Sequence, residues 1–186
     1  MNSTATATLI PTGTWTVDPA HSTVGFSVKH LGIATVRGRF EQFEGTLEVG
    51  DDLSAARAYG TAQVSSVSTD EPARDEHLRS ADFFGADANP ELRFESTEIR
   101  PLDEDTFEIE GDLSMNGVTG SVKLTAVVLG TETDPWGNER VGIEVTGQLK
   151  RGDWNMTFNQ ALGSGNLLVG EKVTLSLDIS AVKQEA

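Results

Sequence analysis

The sequence predicts an all-β antiparallel fold of about eight strands, a sandwich or a barrel, on three observations. Apolar and polar residues alternate strictly along several long stretches. Turn signals separate those stretches at regular spacing. Only 37% of the 186 residues are hydrophobic, which suits strands that bury one face and leave every second residue polar.

The elements follow in chain order. Val24, Phe26, Val28 and His30 share one face, and Thr23, Gly25, Ser27 and Lys29 the other. A period of two is that of a half-buried strand. Shorter candidates run over 36–40, 43–49 and 56–64. The stretch 68–79 breaks the alternation: Ser68 as a capping residue, acidic residues and Pro72 early, His77 and Arg79 late. That order predicts a short helix. With Asp82-Phe83-Phe84 behind it, 68–84 is expected to dock as a helical flap. Strands are expected next over 92–99, and over 107–115, where Phe107, Ile109, Leu113 and Met115 oppose Glu108, Glu110, Asp112 and Ser114. Three more are expected: over 122–129, on Val141, Ile143, Val145 and Leu149, and on Val173, Leu175, Leu177 and Ile179. Asn116-Gly117 is a hairpin-turn dipeptide. The stretch 153–165 reads as a long aromatic, Gly-rich loop. The length implies one domain, over 13–186, after a mobile tail at 1–12.

Composition excludes several function classes. With 14 Lys+Arg against 29 Asp+Glu, the net charge is −15, so the surface repels nucleic acid and anionic membranes. The absence of cysteine excludes disulfides, zinc ribbons and thiol nucleophiles. No apolar run nears the ~18 residues that span a bilayer, so stable membrane insertion is not expected. The opening MNSTATATLIPTGTW lacks the basic flank and apolar run of a secretory signal, and the chain is expected to be cytoplasmic. His21, His30 and His77 have no metal-ligand spacing, and no metal or cofactor is expected. No nucleophile elbow, phosphate loop or dinucleotide fingerprint occurs, so the protein is not expected to be an enzyme. One catalytic alternative stands on Glu108, Glu110 and Asp112, which line one strand face at ~6–7 Å intervals, a spacing a jelly-roll glycosidase could use. Their opposition to an apolar face favours a solvated role instead.

The inward faces carry the function argument. Gly38, Gly45, Ala58, Gly60, Ala62, Gly111 and Gly147 fall at or near core-facing parity. Small inward residues leave room in an eight-stranded barrel for one slender ligand; glycines that seat neighbouring side chains, in an interaction module with a filled core, are the other reading. Phe26, Val28, Phe40, Phe83, Phe84, Trp154 and Phe158 are the expected apolar contacts. His30 continues the parity of Val28 and is expected at the cavity mouth. Arg74, Asp75 and His77 share one helical turn at that mouth. Arg74 would either touch a ligand head group or latch the flap through an internal bridge to Asp75 or another carboxylate, and the latch is preferred.

The order of short motifs then resembles a known family. Trp15-Thr-Val-Asp-Pro-Ala-His-Ser-Thr-Val-Gly-Phe26, His30-Leu-Gly, Val36-Arg-Gly-Arg-Phe40, Arg74-Asp-Glu-His-Leu78, Asp82-Phe-Phe84, Pro90-Glu-Leu-Arg-Phe94, Gly111-Asp-Leu-Ser-Met-Asn-Gly-Val118 and Val169-Gly-Glu-Lys-Val173 resemble the YceI-like polyisoprenoid-binding proteins. The resemblance runs from Gly13 to Ile179. It implies a lipocalin-like extended barrel that stores or transports a long isoprenoid or similar amphiphile without catalysis. Where the family has an Arg-Ser-Asp-Phe-Gly-like segment, this chain has Arg151-Gly-Asp-Trp-Asn155. A homodimer is expected because such barrels often pair.

Overall fold

The computed structural model describes residues 9–185. Its strands form one antiparallel sheet. They are β1 (Gly13–Val17), β2 (Thr23–His30), β3 (Ala34–Phe40), β4 (Phe43–Val49), β5 (Arg57–Gln63), β6 (Val67–Ser68), β7 (Glu91–Pro101), β8 (Thr106–Met115), β9 (Val118–Thr133), β10 (Glu139–Lys150) and β11 (Val169–Lys183). One helix, α1 (Pro72–Arg79), lies between β6 and β7.

These segments make eight bent strands. β1 and β2 pair in succession with the same strand, Val17 opposite Ala181 and Thr23 opposite Asp178. The bend between them is a turn at Pro19–His21 whose first amide donor, Ala20 N–H, is capped by the Asp18 carboxylate. Only Glu41 and Gln42 separate β3 from β4, and a turn at Val64–Ser66 separates β5 from β6. Consecutive bent strands are neighbours throughout, and pairing of β1 with β11 closes the ring. A closed up-and-down barrel leaves no free edge along its length.

Local chemistry agrees with the sequence pattern at most turns. Asn116 and Gly117 take left-handed conformations (φ 53° and 75°) between Met115 and Val118, which pair directly; this is the two-residue hairpin that Asn-Gly specifies. The helix is shorter than the expected flap. It begins at Pro72 behind Glu71, whose side chain accepts the Ala73 amide proton, while Ser68 belongs to β6. The reason is that Ser68 pairs with Arg39 across the sheet, so the ladder keeps it extended. Of the expected tail, residues 1–8 lie outside the described residues. Leu9 and Ile10 pack on the lower core, and the Pro11 carbonyl accepts the Trp15 indole N–H at 3.0 Å.

The apolar interior has two parts. Trp15, Phe107, Val128, Val141 and Ala181 fill the lower end, where β1, β10 and β11 meet. A larger cluster, including Phe40, Phe84, Met115, Val145 and Trp154, surrounds the upper part. Arg140 pins the lower end from outside. Its guanidinium donates to Asp134 at 2.8 Å and to Asp18 at 2.9 Å, joining the β9–β10 turn to the end of β1. Arg140, followed by its bonded neighbour His21, holds the Asp18 carboxyl down at about 2. A depressed carboxyl stabilises the fold above its unfolded pKa of ~3.9, and that stabilisation is lost as pH falls through the folded value. Acid unfolding should therefore show a loss between about pH 4 and 2 that Arg140→Ala diminishes, measured by thermal melts across that range.

Candidate ligand cavity

The lumen above the Trp15 cluster is open. A cavity of about 810 Å³ runs from Ile10, Val49 and Leu53 at the lower end to His30, Arg74 and His77 at the upper. Inward residues of every long strand line it: Val24, Phe26 and Val28 on β2, Phe107, Ile109, Leu113 and Met115 on β8, Val173, Leu175, Leu177 and Ile179 on β11. The alternation named each of these faces. Many of them are only partly buried, because their inward surface faces the lumen rather than another side chain.

Small residues act in two different ways. Gly45, Ala58, Gly60 and Ala62 on β4 and β5 border the cavity, and Gly45 pairs with Gly60, although a Cβ on Gly45 would stand 2.9 Å from Val17 Cγ2 and one on Gly60 2.6 Å from the Glu44 carbonyl oxygen. Gly38, Gly111 and Gly147 do not line it. A Cβ on Gly38 would stand 2.4 Å from Phe26 Cζ, one on Gly111 2.5 Å from Phe94 Cζ, and one on Gly147 2.6 Å from Leu124 Cδ2. These three glycines seat larger neighbours instead of making space. Gly38→Val should displace Phe26 from its contacts with Phe40 and Phe84, ring centroids 5.7 and 6.4 Å away. Overpacking of this kind costs about 1–3 kcal/mol, readable as a lowered denaturation midpoint.

The upper opening is covered by α1 and the turn after it. Phe84 inserts edge-on against Phe40, with centroids 5.6 Å apart. Phe83, His77 and Phe158 form a second aromatic group with centroid separations of 4.8 to 5.4 Å, and His77 Nε2 lies 2.9 Å from Asp82. The helix is tied down through Thr69. Arg74 donates from Nε to the Thr69 hydroxyl at 2.7 Å and from Nη2 to its carbonyl at 2.8 Å. Asp75, 8% exposed, accepts the Thr69 amide at 2.7 Å and hydroxyl at 2.6 Å. The expected bridge from Arg74 to Asp75 or another carboxylate is thus corrected: Arg74 and Asp75 both grip Thr69, and among the described residues no carboxylate pairs with Arg74. Adjacent residues on a helix point about 100° apart, so a third group between them serves both better.

Of the residues singled out in the sequence, Phe26, Val28, His30, Phe40, Arg74, His77, Phe83, Phe84 and Phe158 border the cavity. Asp75 and Trp154 do not. Asp75 faces Thr69, and Trp154 lies over Gly120 with its indole N–H donated to the Leu113 carbonyl at 2.9 Å. Asn155 after it is left-handed (φ 58°), a conformation Asn or Gly accepts readily, which accounts for Asn where the family pattern has Gly. Sequence reasoning gave no role to Arg151, which borders the cavity although only 4% exposed. An arginine at a strand end reads as a surface charge, and only tertiary structure buries it.

Glu108 and Glu110 lie on the outer face, and both pair with Arg100. That contact, with Arg100 first, holds the Glu108 carboxyl below the usual carboxylate range. They stand on the far side of the wall from the cavity. Among the described residues, no group of three or more His, Asp or Glu could hold a metal ion, and no helix is long and apolar enough to cross a membrane.

A closed antiparallel barrel enclosing a ligand-sized apolar cavity defines the lipocalin-like class of architecture. Within it, the chain belongs to the YceI-like family: residues 15–181 match the YceI-like domain. It is 37% identical over 166 residues to protein YceI of Escherichia coli O157:H7 and to UPF0312 protein ECA1782 of Pectobacterium atrosepticum, covering 89% of this chain and 83% of each relative. The YceI protein of Campylobacter jejuni superposes with a TM-score of 0.72 at 27% identity, covering 90% of this chain and 96% of that one. Burkholderia cenocepacia BcnA shares the fold at a TM-score of 0.77 and 19% identity, over 88% of this chain and 98% of that one. A polyisoprenoid binding domain from Saccharophagus degradans does so at 0.69 and 14%, over 91% and 98%.

Proposed function

We propose that this protein binds one long-chain isoprenoid or similar amphiphilic lipid inside the barrel and stores or carries it without catalysis. The observation that carries this reading is the continuous apolar cavity of about 810 Å³ under a tied-down helix. At roughly 30 Å³ for a water-sized group, that space takes on the order of 25 chain carbons. Each buried methylene contributes about 0.8 kcal/mol, so a chain of this size binds usefully without polar contacts. The polyisoprenoid-binding description of the Saccharophagus degradans neighbour supports the same class of ligand. Cavity contacts are assigned to Phe26, Val28, His30, Phe40, Phe83, Phe84 and Phe158, with Arg74 and His77 at the rim.

Native mass spectrometry of the purified full chain, before and after delipidation and addition of C20–C40 prenyl alcohols, tests the proposal. A bound mass that delipidation removes and a prenyl alcohol restores at one per chain is expected. No co-purifying lipid and no uptake of any added chain would overturn it. Light scattering tests the expected homodimer, and cell fractionation the expected cytoplasmic location.

A further inference from the structure

Charge is distributed unevenly around the lumen. The lower wall is Ile10, Val17, Leu47, Val49, Leu53 and their apolar neighbours, whereas the charged residues of the lining, Lys29, Glu44, Glu71, Arg74, Arg93 and Arg151, stand toward the upper end, Arg93 paired with Glu91. Arg74 is occupied by Thr69, and Lys29 donates to the Thr35 hydroxyl at 2.8 Å. Arg151 differs from both. Its guanidinium is buried and makes three bonds, all to backbone carbonyls: Nε to Gly170 at 2.8 Å, Nη1 to Met156 at 2.6 Å and Nη2 to Val169 at 3.3 Å. Among the described residues no carboxylate reaches ion-pair distance of it. Glu171, exposed to solvent, attracts it from outside, but burial prevails and pushes the guanidinium below its ordinary range.

A buried cation without a counter-ion is costly, and carbonyl dipoles replace only part of its lost hydration. Three of five N–H donors are used, which leaves two. The guanidinium stands 6.0 Å from the centroid of Phe83, itself part of the cavity wall. The planar fork matches phosphate or carboxylate oxygens and is already fixed in place. The chain's overall charge of −15 repels anions, so an anion here would need such a local cation.

We propose that the upper end of the cavity seats an anionic head group, phosphate or carboxylate, against Arg151, with the apolar tail running down the barrel. This rests on the cavity being a lipid site. The test uses three probes with one C20 tail: geranylgeranyl phosphate, geranylgeranoic acid and geranylgeraniol. Calorimetry on the delipidated full chain should give at least about tenfold tighter binding of one or both acids than of the alcohol, the size of one charge-assisted hydrogen bond. The acid preferred assigns the head group. Arg151→Met should bring the ratio toward one, and Arg151→Lys should retain part of it.

Because Arg151 also ties three carbonyls, the same probes are compared on the unmutated protein by amide NMR. Differences between acid and alcohol should centre on residues 151–156 and 169–171. Equal affinities, a tighter alcohol, or differences centred elsewhere would overturn the head-group seat while leaving lipid binding intact. Failure of all three probes to bind would instead overturn the lipid reading itself.

Discussion

Replacing Ala58 with Phe should weaken binding of long chains about 100-fold without lowering thermal stability. Ala58 is half-buried and borders the cavity beside the Gly45–Gly60 pair. A phenyl ring there displaces about four chain carbons, which at about 0.8 kcal/mol each weakens binding on the order of 100-fold. In a filled core the same change would overpack and cost about 1–3 kcal/mol. Here the added ring buries apolar surface in open space. Titration with prenyl alcohols of increasing length, alongside a thermal melt, separates these outcomes. Unchanged long-chain affinity would mean that the ligand lies elsewhere, and a fall in melting temperature would mean that the cavity closes in solution.

Asp75→Ala should release the lid. The substitution leaves the buried Thr69 amide and hydroxyl without their acceptor, a penalty of about 1–3 kcal/mol per unmatched group. For the two groups together, in a chain of this size, the melting temperature should fall by roughly 4–24 °C. Ligand dissociation should accelerate for charged and neutral chains alike, because the change acts on α1 rather than on a head group. Hydrogen exchange should rise first at residues 69–84, the segment with the least sheet pairing. Arg74→Gln should show a weaker version of the same pattern, since Asp75 still holds Thr69. Loss of affinity confined to acidic ligands would refute the latch and make this turn part of the head-group contact.

The alternation determined the strands and their inward faces, down to Val24-Phe26-Val28 and Val173-Leu175-Leu177, because a side chain's direction in a strand follows from its parity. Asn116-Gly117 determined its hairpin for an equally local reason, its left-handed backbone. The charge balance and the missing cysteines likewise constrained function with no structure needed. What only the tertiary structure decided is non-local. Pairing of β1 with β11, more than 160 residues apart, made the sheet a barrel, and no local pattern encodes which distant strands meet. The role of each inward glycine emerged only when neighbours were in place: Gly45 and Gly60 border the cavity while seating Val17 and the Glu44 carbonyl, and Gly38, Gly111 and Gly147 accept Phe26, Phe94 and Leu124. Thr69 as the shared partner of Arg74 and Asp75 came from a turn that brings the chain back over itself. The burial of Arg151 depended on carbonyls 5 to 19 residues away. Each of these depends on what stands opposite a residue in space, and that is fixed by packing rather than by the residue's own chemistry.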